Sequence, residues 1–427
     1  MSLPRYPKYK GSGVDWLGEV PEHWKVRRLK WLCKIQTGDK DTVEAVEEGQ
    51  YPFFVRSQIV ERINSFTFDC EAVLTAGDGV GVGKVFHYHD GPFDFHQRVY
   101  MLNNFSGIKG IFLFHYLREN FYKVALEGGA KSTVDSLRMP LFLNFAVAVP
   151  SHSEQVAIAT FIDFESTKID ALIAEQRRLI ELLKEKRQAV ISHAVTKGLN
   201  PEAPMKDSGI EWIGQVPKHW EVKPFRSCID FQEGPGIMAA DFQDEGIPLL
   251  RISGAQNHWA TLEGCNYLHP DRVRERWKHF RLEEGDLLIS ASASMETVCE
   301  IGPDTVGSIP YTGLIRLRGI GGKMIKSFVR YVVVSEQFIT QIDLLKAGAT
   351  IQHFGPTHLS QMTIVRPPIE QQESIAAHID YETACLDHLT IEANRAIDLL
   401  QERRAALISA AVTGKIDVRG LATEDAA

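Results

Sequence analysis

The chain has 427 residues, with 47 Lys and Arg against 55 Asp and Glu for a net charge of −8; 44% are hydrophobic and 24% charged. That length and composition suit two or three folded domains with apolar cores and exclude a disordered or fibrous chain. A globally basic nucleic-acid binder is also excluded, so any contact with phosphates must come from local patches.

The opening MSLPRYPKYKGSG lacks the apolar run of a signal peptide, and Arg330 breaks the apolar stretch Phe328 to Val334 well short of a membrane span. This predicts a cytoplasmic protein with no membrane association. Cysteines at 33, 70, 228, 265, 299 and 385 never form a CxxC pair, which predicts reduced, mostly buried thiols and no zinc ribbon.

Residues 10–26, KGSGVDWLGEVPEHWKV, return at 206–222 as KDSGIEWIGQVPKHWEV, with 10 of 17 positions identical at an offset of 196. A second repeat aligns Pro150 to Asn200 with Pro367 to Asp417, with 22 identities in 51 positions and an offset of 217. The copies agree at their ends and diverge between them. We read this as two copies of one unit fused, a shared scaffold carrying two different readers; solenoid repeats have periods of roughly 20–50 residues and several copies.

The segmentation expected is 1–24 as a first repeat segment, 25–149 as a variable domain, 150–200 as a central helix and 201–220 as the second repeat segment. A second variable domain follows at 221–366, then a C-terminal helix at 367–417 and a disordered tail at 418–427. The variable segments carry short β-branched and aromatic runs punctuated by glycine, such as Tyr51 to Val55, Val99 to Leu102 and Ile247 to Ile252. Helices are expected around Ile111 to Tyr122 and Phe328 to Leu345, giving two α+β domains with strongly bent sheets.

The second repeats read as long helices. Apolar residues at Ile162, Ile169, Leu172, Leu179, Leu183 and Val190 form one heptad-like seam, and Ile379, Leu386, Leu389, Leu400 and Leu407 form the other. Gly198 and Gly414 sit where helix C-caps are expected. A helix from about 162 to 196 would be roughly 50 Å long. Each narrow seam needs a partner, and the obvious one is the other repeat, which predicts an antiparallel pair relating the two halves by a pseudo-twofold.

No catalytic constellation is complete. GDGVGVGK at 77–84 fails the Walker pattern, with Asp78 at the first glycine position and Val85 after the lysine. A tight glycine turn between strands, with Lys84 placed to meet a phosphate, is the better reading. Ser308-Ile309-Pro310-Tyr311 falls one residue short of the signature by which amino-methyltransferases hold a flipped adenine, and no glycine-rich S-adenosylmethionine motif accompanies it. His87, His89 and His96 have no supporting carboxylate or cysteine cluster, so no metal site is expected.

Polar and basic loop residues are the binding candidates: Arg56, Ser57, Gln58, Lys84, His96, Gln97, Arg98, Lys131, Ser132 and Thr133 in the first variable segment. In the second they are Arg251, Ser253, Gln256, Asn257, Ser290, Ser292, Ser294, Tyr311, Thr312, Thr350, Gln352 and His353. Arg and Lys suit guanine edges and phosphates, and Asn and Gln can pair with adenine. The densest basic cluster is Arg272, Arg274, Arg276, Lys278 and Arg281, read either as a solvated helix face or as a phosphate anchor.

The paired SGVDWLGEVPEHW and SGIEWIGQVPKHW, the PSHSEQVAIATFID and PPIEQQESIAAHID openings, and the ISHAVTKG and ISAAVTGK closings resemble the specificity subunits of type I restriction-modification systems over essentially the whole chain. The resemblance implies two target-recognition domains joined by an antiparallel coiled-coil spacer, each reading one half of a split, asymmetric site in double-stranded DNA. It implies two modification subunits that methylate adenine with S-adenosylmethionine, and restriction subunits that use ATP and Mg, with no cofactor in this chain. Two other classes are weighed against it. A self-contained methyltransferase or restriction enzyme would need the motifs found missing, and a protein-only scaffold would bind no duplex selectively.

Overall fold

The computed structural model describes residues 3–125, 137–291, 298–347 and 355–421. The chain divides into two compact units, Met1–Arg177 with Asn394–Ala427, and Arg178–Ala393. Both mix helices and sheets. Among the described residues no helix is long and apolar enough to cross a membrane.

In the first unit, the strands Lys34–Thr37, Val99–Asn103, Ala72–Ala76 and Phe86–His89 form an antiparallel sheet in that spatial order. A second sheet takes the order Glu61–Ile63, Tyr51–Phe54, Pro92–Phe95, Phe68–Asp69, and its pairing of Tyr51–Phe54 with Pro92–Phe95 is parallel. Ala72–Ala76 is buried along its whole length, as expected of a strand covered on both faces, and its one polar side chain, Thr75, donates to the Val85 carbonyl at 2.9 Å. The helix Gly110–Asn120 packs Phe112, Leu113, Tyr116 and Leu117 into the core.

The second unit has the same strand order in its first sheet and the same central three strands in its second, whose fourth strand, Phe242–Gln243, pairs with Asn266–Leu268 at the opposite edge from Phe68–Asp69. Ile229–Glu233, Leu314–Gly319, Leu287–Ser290 and Cys299–Glu300 form one sheet, and Phe242–Gln243, Asn266–Leu268, Ile247–Leu250 and Ile309–Pro310 the other, again with one parallel pair.

A single helix runs from His152 to Lys197, and another from Ile369 to Val412. At 46 residues the first is about 69 Å long. It starts ten residues earlier than the sequence seam suggests, because Ser151 accepts from the Glu154 N–H while the Glu154 carboxylate accepts from the Ser151 N–H and hydroxyl, a reciprocal cap. Each unit contains part of both helices, tied by one ion pair: Arg404 to Asp170 (2.6 Å) in the first, Arg187 to Asp387 (3.5 Å) in the second. These pairs are related by the 217-residue offset.

Of the residues expected in the helical seams, Ile162, Ile169, Leu183, Ile379, Leu386 and Leu407 are buried, and Val190 and Leu400 are half-buried. Leu172, Leu179 and Leu389 are instead 51%, 41% and 51% exposed. The buried or half-buried positions are the next residues along, Ile173, Ile180 and Thr390. One residue turns a helical side chain by about 100°, so a seam at alternating three- and four-residue spacing passes through Ile169, Ile173, Ile180 and Leu183 and leaves those leucines facing solvent.

The 10–26 and 206–222 repeats lock onto the helices by matching contacts. Trp24 donates from Nε1 to Glu154, and Trp220 to Gln371. His23 and His219 bond the same two acceptors. Gln155 accepts from the Lys109 N–H and Gln372 from the Ile325 N–H, each at the start of its helix. Lys415 donates to the Leu17 and Glu19 carbonyls, and Lys197 to those of Ile213 and Gln215. Gly198 and Gly414, at φ 76° and 73°, end the helices in the left-handed conformation. A Cβ on Gly414 would lie 2.5 Å from the Pro21 ring.

Residues 418–427 do not form a disordered tail throughout. Val418 is fully buried, Leu421 packs on the first unit's core, and Arg419 pairs with Asp417 and lies over the Tyr6 ring; residues 422–427 lie outside the described residues. All six cysteines are free, two buried, three half-buried and Cys385 exposed. Burial pushes the Cys33 thiol up to about 12 and the Cys299 thiol up to about 11, which removes them from thiolate chemistry at neutral pH.

His115 is 5% exposed, and among the described residues neither ring nitrogen has a hydrogen-bond partner; Asp163 stands 3.9 Å from Nε2. Burial, aided by the Arg118 charge, pushes its pKa down to about 3. A depressed histidine leaves stability intact above the unfolded value of about 6.5 and withdraws it as pH falls from there toward 3, costing ~2 kcal/mol at pH 5. In His115→Leu the loss of first-unit stability between pH 7 and pH 5 should shrink by about that amount in urea titrations. An equal loss in both proteins would contradict this.

Candidate nucleic-acid interface

Strand register brings the first unit's candidates together. Pairing of Val99 with Ala76 sets Arg98 beside Gly77, whose N–H donates to the Arg98 carbonyl at 2.8 Å. Parallel pairing of Phe95 with Phe54 sets His96 beside the strand that runs into Arg56, and the His96 N–H donates to the Phe54 carbonyl at 2.9 Å. Arg56, Asp78, His96, Gln97 and Arg98 thus meet at one end of the two sheets.

Asp78 joins two of them. One carboxylate oxygen accepts from Arg56 Nη1 at 2.8 Å and the other from Arg98 Nη1 at 3.2 Å. Gln97 donates to Asp41 at 2.9 Å, and His96 Nε2 lies 3.9 Å from the same carboxylate. His96 Nδ1 accepts from the Arg98 N–H at 2.9 Å. Burial lowers the His96 pKa, Asp41 opposes that, and the charges of Arg56 and Arg98 lower it further. The imidazole is therefore neutral at pH 7, and the positive charge of the cluster resides on the two arginines.

Neither Asp78 nor Asp41 was among the sequence candidates. Asp78 lies inside the glycine turn at 77–84, which is a tight turn between the strands Ala72–Ala76 and Phe86–His89 with Lys84 exposed. The signal in the sequence was an acidic residue where a phosphate loop has glycine. Ser57 and Gln58 are exposed, and the Ser57 carbonyl accepts from His87 Nε2 at 3.0 Å. His89 bonds the Pro92 carbonyl, and among the described residues no three His, Cys, Asp or Glu gather as a metal site. Lys131, Ser132 and Thr133 lie outside the described residues.

The second unit builds the same corner from other residues. The Tyr311 N–H donates to the Leu250 carbonyl at 3.0 Å, as His96 does to Phe54, and the Ala291 N–H donates to Gly313 at 2.8 Å, as Gly77 does to Arg98. Gly313 thus holds the place of Arg98. Arg251 lies with its guanidinium 3.9 Å over the Tyr311 ring, a cation–π contact that fixes its plane. Thr312 and the Gly313 N–H share Glu233. Ser253 donates to the Glu263 carbonyl, Gln256 and Asn257 are exposed beside Trp259, and Ser290 ends its strand half-buried. Ser292, Ser294, Thr350, Gln352 and His353 lie outside the described residues.

The basic cluster is partly neutralised: Arg272 pairs with Asp241 and Arg274 with Asp271, while Arg276, Lys278 and Arg281 are exposed. Ile309 and Pro310 of the methyltransferase-like motif form a strand paired with Leu249 and Leu250, so this stretch is part of the sheet.

Residues 21–182 match the family of the type I restriction modification DNA specificity domain. The type I restriction enzyme EcoDI specificity subunit of Escherichia coli is 25% identical over 418 residues, covering 93% of this chain and 90% of that one. The MjaVIII specificity subunit of Methanocaldococcus jannaschii is 23% identical, covering 94% and 95%. Two solved structures share the fold: the HsdS subunit from Thermoanaerobacter tengcongensis, with a TM-score of 0.52 at 15% identity over 93% and 98% of the chains, and a chain from a study of complex assembly and conformational transition of the type I R-M system, with a TM-score of 0.61 at 16% identity over 92% and 98%. Residues 21–182 thus carry a domain of the type I restriction modification DNA specificity family, and relatives named as specificity subunits of type I restriction enzymes, non-catalytic components of those systems, align along more than nine-tenths of the chain.

Proposed function

We propose that residues 25–149 and 221–366 are two target-recognition domains that read the two halves of a split, asymmetric site in double-stranded DNA. The long helices 150–200 and 367–417 act as an antiparallel coiled-coil spacer in a duplicated, pseudo-twofold chain, and the repeat segments 1–24 and 201–220 clamp them. Half-sites about one helical turn apart, roughly 34–36 Å, share one face of a duplex, and helices of this length can carry readers at that separation.

The observation that carries the reading is the conserved corner with exchanged contents: the same backbone bonds frame Asp78, His96 and Arg98 in one unit and Tyr311 and Gly313 in the other. A constant frame with different donors is what two different base sequences require. The polar and basic loop residues named from the sequence are the DNA contacts. Chemistry lies with partners: two modification subunits that methylate adenine with S-adenosylmethionine, and restriction subunits that use ATP and Mg. The complex acts in the cytoplasm.

The test is to map methylated adenines genome-wide in cells with and without this gene, the modification subunit being present in both. A single bipartite motif should be methylated with the gene present and disappear without it. Methylation that persists without it, or no motif in either, would overturn the reading.

A further inference from the structure

We propose that Asp78 is a positioning residue that aims Arg56 and Arg98 at a guanine in the half-site read by residues 25–149; this rests on the DNA-specificity reading above. The two arginines come from loops 42 residues apart in sequence (98 − 56) and meet on one carboxylate, each through Nη1 and each on its own oxygen. Nη1 lies outside the Nε/Nη2 edge of a guanidinium. Asp78 therefore holds each plane from behind while leaving free the two parallel donors that match guanine O6 and N7.

The carboxylate also decides between a base and a phosphate as the target. A phosphate anchor works by uncompensated charge and tolerates a mobile side chain, and adding an acid beside it weakens it. A base reader needs a fixed fork, and a nearby acid costs it little. Two guanidiniums sharing one aspartate, next to a histidine that is neutral because it is buried, have half their charge cancelled and their geometry set.

The mount is rigid. A Cβ on Gly77 would lie 2.9 Å from both the Arg98 carbonyl and the Tyr100 ring, and one on Gly81 would lie 2.6 Å from the Arg56 carbonyl. The turn that carries Asp78 is thus packed directly on the backbone of both arginines. The Asp78 side chain is only 22% exposed, against 41% and 57% for its partners. With Gly313 in the place of Arg98, the second reader lacks this arrangement.

The experiment uses the complex reconstituted with its modification subunits, methylating a library of duplexes randomised over both half-sites. Wild type, Asp78→Asn, Asp78→Glu and Arg98→Lys are compared. The expected wild-type motif contains a guanine in the half-site that follows residues 25–149 when that domain is exchanged. Asp78→Asn should reduce the preference for that guanine about tenfold, the order expected for one bidentate contact, while the other half-site keeps its preferences and Asp78→Glu restores most of the loss. Arg98→Lys, which keeps the charge but not the fork, should show the same relaxation, and it decides the matter if Asp78→Asn does not fold. A half-site with no guanine, or variants that lower methylation of all sequences alike, would overturn the proposal while leaving the specificity role standing, because the wild-type complex would still be selective. A wild-type complex without any sequence preference would overturn both.

Discussion

A chain truncated after Ala406 is expected to lose its first unit and keep its second. The removed residues include Leu407, Ile408, Val412, Ile416 and Val418, all buried in the same cluster as Tyr6, Leu17, Val20 and Trp24. Five such side chains contribute roughly 1.5–3 kcal/mol each, a sum of the same order as the ~5–15 kcal/mol that holds a whole domain together. The two Lys415 bonds that fasten the first repeat segment go with them. Among the described residues, none of the second unit's main core lies beyond Ile379. Hydrogen exchange should therefore show loss of protection in Ala72–Ala76 and Val99–Asn103, with Leu287–Ser290 and Leu314–Gly319 still protected. Persistence of protection in both units would show that the C-terminal end of the chain is dispensable to the first.

Leu183→Pro should have an effect of similar size on the second unit. Leu183 is 7% exposed in the middle of the helix His152–Lys197, four residues before the Arg187 that pairs with Asp387. Proline there removes a helical hydrogen bond and clashes with the preceding turn, costing ~3 kcal/mol or more, and the buried leucine contacts are lost as well. The helical signal by circular dichroism should fall, and co-purification with the modification subunit should weaken with it. Leu183→Ala separates the two contributions, because it removes the packing and keeps the helix. If the proline variant assembled as wild type does, the helical pair would not be the scaffold of the complex.

The parts of this architecture legible in the sequence are those fixed by local chemistry or by repetition. Trp24 and Trp220, with the helix starts that receive their bonds, could be paired by offset alone, and Gly198 and Gly414 announced the helix ends. The seam was misplaced by one residue at Leu172, Leu179 and Leu389 because leucine outweighed the isoleucines and threonine beside them. Periodicity reports which faces are apolar, but burial depends on what covers them, and Ile173, Ile180 and Thr390 face the covered side.

The candidate site was legible only as a set of residue types. Arg56, His96, Gln97 and Arg98 stand out because they can donate to DNA, whereas the residue that links two of them, Asp78, is an acceptor inside a glycine turn and carries no such signal. Its role depends on a parallel strand pair, Tyr51–Phe54 with Pro92–Phe95, which brings Arg56 to Arg98. Such non-local pairing leaves no spacing signal along the chain.

Two independent readers on one frame can be separated by exchanging residues 25–149 for the corresponding domain of a relative and mapping adenine methylation by the reconstituted complex. The motif should change in one half-site, with the other half-site and the gap between them staying as they were. A motif altered in both halves, or unchanged in both, would contradict it.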